Sequence, residues 1–209
     1  MPILMLSAAL AAPPRPLDDS LLPGFPEGIE GRVHEACTLE MVTQEDGRQR
    51  VLELSGCAEP FLEAVRTRIT WWTWRYAPMD TTDLLDPTHA LLTGTAGVPT
   101  GLYTRWRVVF DRPDADADPT VAFEALPVVA LRKRSKVTVP PELAAELGGG
   151  CDLLVHVNAA GRPVRIQSQS CSESARAAME LPLMGWTFEE LHLEGHPADY
   201  AVRVHLAAL

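Results

Sequence analysis

The sequence predicts an α+β fold made of two tandem ββαβ units, each an antiparallel sheet packed on one helix. Three observations carry that expectation. Cys37, Gly47, Cys57 and Trp72 recur as Cys151, Gly161, Cys171 and Trp186, all at one offset of 114 positions (Cys151 against Cys37). An internal repeat of this kind decides the architecture before any local reading does. Within each copy the same order returns: an alternating run, a glycine turn, a second run, a helical stripe and a closing alternating run. Finally, the four cysteines fall two to a copy, with none left over.

The elements follow in order. Residues 1–20 form an apolar leader and an irregular lead-in. The stretch Met1 to Ala12, with Ala9-Leu10-Ala11, looks like the back half of a signal peptide but lacks a basic start. The first repeat spans 21–110. Cys37 to Thr43 alternates apolar and polar residues, the mark of a half-buried strand. Asp46-Gly47 supplies a turn, because glycine accepts positive φ. Arg50 to Ser55 returns as the second strand, and the apolar positions require a one-residue register shift, hence a bulge on that strand. Pro60 suits a first helical turn, and Phe61, Leu62, Val65 and Ile69 recur at helical spacing. Trp72 and Trp74 then alternate in a short extended segment and are expected in the core. Trp71, without a counterpart, is expected to be more exposed. Gly97-Val98-Pro99 introduces the closing strand, with Trp106, Val108 and Phe110 on one face.

An acidic linker and connector covers 111–136. It contains Asp114, Asp116 and Asp118, an apolar stretch from Val121 to Ala130 that suits a strand or a packed connector, and a basic cluster around Arg132 read as a solvated run. The second repeat spans 137–209. Its strands are Cys151 to Val157 and Val164 to Ser170 around Gly161. Its helix is capped by Ser172 and buries Ala175, Ala178, Met179 and Leu183, with Pro182 expected to shorten or kink its end. Trp186 and Phe188 match the aromatic pair, and Gly195-His196-Pro197 leads to Tyr200 and the last strand. The closing elements are offset by only 98 (Gly195 against Gly97), so the first copy carries an insertion of about 16 residues within 77–96.

The cysteines lie ten residues either side of each turn glycine, so folding the hairpin brings them together. The expected bonds are Cys37–Cys57 and Cys151–Cys171, which place the protein in an oxidising compartment, periplasmic or secreted. The alternative is four small buried thiols in a cytoplasmic protein. No short Cys-x-x-Cys pairing suggests a zinc site. A net charge of −10 makes nucleic acid and anionic membranes poor partners. No apolar run approaches the ~18 residues of a membrane span. The six histidines show no metal spacing, and no catalytic set or phosphate loop emerges, so neither enzyme activity nor a cofactor is expected.

The unit resembles the C-terminal domain of TonB-family proteins, present here twice. The residues that carry the resemblance are Asp46-Gly47-Arg48 with Trp72-Thr73-Trp74 and Pro78, and Gly161-Arg162 with Gly185-Trp186-Thr187-Phe188. The cysteine-flanked hairpins resemble a Cys-paired variant of the family. The Pro-bearing segments Phe25-Pro26-Glu27 and Val139-Pro140-Pro141-Glu142 resemble its entry motif. The family's membrane anchor has no match. The resemblance implies a non-enzymatic protein-binding or scaffold module of the cell envelope that pairs an extended partner segment with a sheet edge. The candidate edges are the closing strands, Arg105 to Phe110 and Tyr200 to Leu206, with Arg105, Arg107, Arg203 and His205 on their polar faces. A part in TonB-type energy transduction or transport, and a thiol-based redox role, are the alternatives.

Overall fold

The computed structural model describes residues 4–5, 22–44, 48–69, 89–94, 100–134, 142–143, 150–168 and 170–208. In chain order its strands are β1 (Leu4–Met5), β2 (Val33–Thr43) and β3 (Gln49–Ser55), followed by helix α1 (Glu59–Ile69). Next come β4 (His89–Leu92), β5 (Gly101–Arg112), β6 (Thr120–Leu126), β7 (Leu131–Lys133), β8 (Cys151–Val157) and β9 (Pro163–Ser168). After helix α2 (Glu173–Met184) follow β10 (Thr187–Phe188), β11 (Leu191–Leu193), β12 (His196–Ala198) and β13 (Tyr200–Ala208). The fold is α+β, with a mostly antiparallel sheet. Two compact units form: one from Pro13–Ala77 with Gly101–Leu126, the other from Met1–Ala12, Pro78–Thr100 and Pro127–Leu209.

The unit holding the first repeat is a four-stranded sheet in the order β3-β2-β5-β6 with α1 against one face. Alternation in β2 sends Cys37, Leu39 and Met41 to that face, where they meet Trp106, Val108 and Phe110 of β5. Helix α1 buries Phe61, Val65 and Ile69 against them, while Leu62 is half-buried. Phe25, from the proline-bearing entry segment, stands edge-on to Phe61 and Phe110 with ring centroids 5.9 and 6.2 Å away. That contact gives the entry segment its place: it closes the end of the core.

The second repeat rebuilds the same order as β9-β8-β13 with α2, flanked by β4 and by β1 at the end of β13. Register makes the equivalence quantitative. Leu39 pairs Leu54 and Trp106, and Leu153 pairs Ser168 and Val204. Hairpin partners therefore keep the offset of 114 (Leu153 against Leu39), and closing partners the offset of 98 (Val204 against Trp106). Both second strands carry the expected bulge, at non-equivalent places. Leu52 is the extra residue in β3, between the pairs Glu40–Glu53 and Met41–Val51. Val164 is the extra residue in β9, between His156–Arg165 and Val157–Pro163.

Two expectations change. Pro182 does not shorten α2, which runs on to Met184. It lies in the last turn, where its missing N–H withdraws one bond from the Ala178 carbonyl of the turn before it, and the Gly185 amide donates to the Pro182 carbonyl. The Gly195-His196-Pro197 segment does not lead directly into the closing strand. Glu194 and Gly195, at φ of 52° and 80°, turn a small hairpin between β11 and β12, as a two-residue turn with both φ positive does. Within the connector 111–136, where Val121 to Ala130 suits a strand or a packed connector, β6 pairs with β5, and β7 with β10. Most of the 77–96 insertion lies outside the described residues. Its described part, β4, joins β13 through Tyr200–Leu92 and Ala201–Leu91.

Candidate functional site

Both disulfides form. Cys37 and Cys57 have Cα atoms 4.8 Å apart, and Cys151 and Cys171 5.1 Å apart; each pair is separated by 20 residues. In each pair one sulfur comes from the buried face of the first strand and the other from the residues just before the helix. The staple thus pins the helix entry to the sheet. In the second repeat the next residue, Ser172, caps α2: its Oγ accepts from the Ala175 amide at 3.1 Å. No free cysteine remains among the described residues.

In the second repeat the turn brings the Gly-Arg and Trp-Thr-Phe motifs together. Asn158 Oδ1 accepts from the amides of Ala160 (3.1 Å) and Arg162 (3.0 Å), which folds the turn and leaves Gly161 at φ +70°. The Gly161 carbonyl accepts the Phe188 amide at 2.8 Å, and the Arg162 guanidinium donates to Thr187 Oγ1 at 3.2 Å. A Cβ on Gly161 would collide with the Phe188 carbonyl oxygen. The turn therefore seats the segment that carries Trp186 and Phe188, which are 2% and 5% exposed. Here the pair is core, as expected. Gly47, Trp71, Trp72 and Trp74 lie outside the described residues.

The closing strands do not present the arginines as an open edge. Strand β5 pairs with β2 from Leu102 to Arg112 and, on its other side, with β6 from Arg105 to Asp111. Arg105 faces Glu40 across the ladder and binds its carboxylate, with Nε to Oε1 at 2.7 Å; Tyr103 donates to Oε2 at 2.8 Å. Burial first, and the neighbouring Glu40 charge second, hold the Tyr103 phenol well above its ordinary pKa. Arg107 reaches Glu124 of β6 at 3.6 Å in an exposed pair. Arg203 stands where Arg105 stands in the first copy, again at the offset of 98, and grips Asp152 of β8. The recurring arginine ties the closing strand to the first strand of its own repeat, which is a structural role. The side chain of His205 lies outside the described residues. The spacing signal for these ion pairs was present in Glu40 and Asp152, each at a polar-face position of a first strand.

Among the strands that the hairpins and their closing strands assemble, β3, β6 and β9 pair on one side only among the described residues. Two of them carry features that discourage further pairing. Strand β3 has a bulge and the exposed charges Arg50 and Glu53; β9 starts at Pro163 and has a bulge at Val164. Strand β6 has neither proline nor bulge. Its seven residues keep one register with β5, and Glu124 is its only charged residue. Val121, Phe123 and Ala125 pack against the core, while Thr120, Ala122 and Glu124 are exposed. Sequence reading gives Val121 to Ala130 as a strand or a packed connector, but not its place beside the closing strand, which depends on long-range pairing.

Among the described residues, no group of His, Cys, Asp and Glu is placed to hold a metal ion, and no helix is long and apolar enough to cross a membrane. No family model, curated protein or solved structure matches the chain.

Proposed function

We propose that the protein is a non-enzymatic, exported module of TonB-domain type that binds an extended segment of an envelope protein at a sheet edge. The observation that carries this reading is β6, a regular and nearly uncharged edge strand. Such an edge offers its outward N–H and C=O groups to an incoming strand. The two disulfides favour an oxidising compartment. The doubled hairpin–helix–strand order and the Gly-Arg to Trp-Thr-Phe contact support the TonB-domain resemblance. Docking moves from the closing strands to β6, because β5 is already paired on both sides. A redox role draws less support, since one cysteine of each pair, Cys37 or Cys151, is buried and only Cys57 and Cys171 are partly exposed.

The test compares Ala122→Lys with the unaltered protein in capture from envelope extract. Ala122 is exposed, so a lysine there leaves the core intact and places a charge on the edge. With unchanged circular dichroism, loss of the captured partner is the expected result. Capture of every partner by the folded variant would remove β6 as the docking edge.

A further inference from the structure

Resting on that reading, we infer that the segment taken up by β6 is antiparallel to it and basic at its C-terminal end. The turn that feeds β6 carries Asp114, Asp116 and Asp118, all exposed, just after Asp111 at the end of the β5 pairing. The one cation in this stretch, Arg112, is directed elsewhere. Its guanidinium donates to the Ile29 carbonyl at 2.6 Å and lies 4.6 Å from the Phe25 ring centroid. Asp111 has a partner in His34 at 3.0 Å, whereas the three turn carboxylates have no cation paired with them among the described residues. The Asp114 carboxylate accepts the Asp116 amide at 3.1 Å, and its carbonyl the Ala117 amide at 3.4 Å. An edge with one acidic end favours a strand whose cations lie at that end. The described ladders are antiparallel, and an antiparallel guest places its C-terminal end beside the Thr120 end of β6. A guest of alternating apolar and polar residues also continues the alternation of β6, with Val121, Phe123 and Ala125 on one face.

Three synthetic peptides of alternating valine and threonine test this. One ends in Lys-Lys at its C-terminus, the second begins with Lys-Lys, and the third ends in Glu-Glu. Titration against the full-length protein in low salt should rank the first about fivefold or more tighter than the second, with the third weakest. The difference should shrink in high salt, as exposed charge pairs do, and vanish in Asp114→Asn/Asp116→Asn/Asp118→Asn. Equal affinity for all three peptides, with loss of binding in Ala122→Lys, would overturn the basic-end inference and leave the β6 edge standing. Binding by no peptide, or equal binding by Ala122→Lys, would overturn both. Self-association in place of peptide binding, seen by sedimentation and abolished by Ala122→Lys, would make a second copy the occupant and overturn the inference.

Discussion

At Gly161 the backbone is left-handed and a side chain has no room, because the Phe188 carbonyl occupies the place of a Cβ. Gly161→Ala should therefore cost more than the roughly 1–2 kcal/mol of the left-handed conformation alone. Urea unfolding, with the m-value checked for constancy, measures this. Trp186→Ala should cost about 3–5 kcal/mol, the range for emptying a buried aromatic site. The tyrosines add a dependence on pH. Burial, followed by a nearby carboxylate, raises the pKa of both Tyr103 and Tyr200 above the ordinary value. The unfolded chain gives up these protons near pH 10 while the fold retains them. Their contribution to stability is thus complete below about pH 10 and declines as pH rises above it. Melting temperatures between about pH 9 and 11 should fall, and Tyr103→Phe should fall less steeply than the unaltered protein. An equal slope in both would mean that Tyr103 is not a source of the effect.

At the scale of elements, the hairpins and helices were legible because their signals are local. Cysteine spacing around a glycine, a period of two in the strands and the stripe Phe61, Val65, Ile69 all act within about 20 residues. The bulges were legible as well, because the apolar positions of β2 and β3 cannot share a face without one. What escaped was set by distance or by turn chemistry. Glu194-Gly195 makes a turn that needs a positive φ at a glutamate, a rare demand, so the Gly-x-Pro motif was read as a strand entry. The arginines were read as edge charges because their carboxylate partners sit on strands far away in sequence. Each disulfide closes a loop of 20 residues and should contribute about 3 kcal/mol by the chain-entropy relation. Paired replacement of Cys151 and Cys171 by alanine, followed by urea unfolding, checks this. A loss near zero would mean that the hairpin and helix entry hold without the staple.

The whole molecule departs from a simple tandem array. A plain reading of the repeat puts a boundary near residue 110, yet the chain passes from one unit to the other at Ala12, Ala77, Thr100 and Leu126. The β4 strand belongs by sequence to the first copy and by pairing to β13 of the second. No local periodicity announces that exchange, because β4 has no counterpart in the other copy. A fragment spanning 127–209 should accordingly melt below the same fragment supplied with a synthetic peptide covering 78–100. Identical melting would show that β4 adds nothing to that unit.

This shared strand also bears on how the protein emerges from the ribosome. The first unit has all its strands once Leu126 has been made. Ala90, Leu91 and Leu92, in contrast, leave the exit tunnel long before Tyr200 and Ala201, the residues they pair with, have been translated. During that interval the growing chain carries β4 without its β13 ladder, so one unit matures while the other waits for Tyr200 and Ala201.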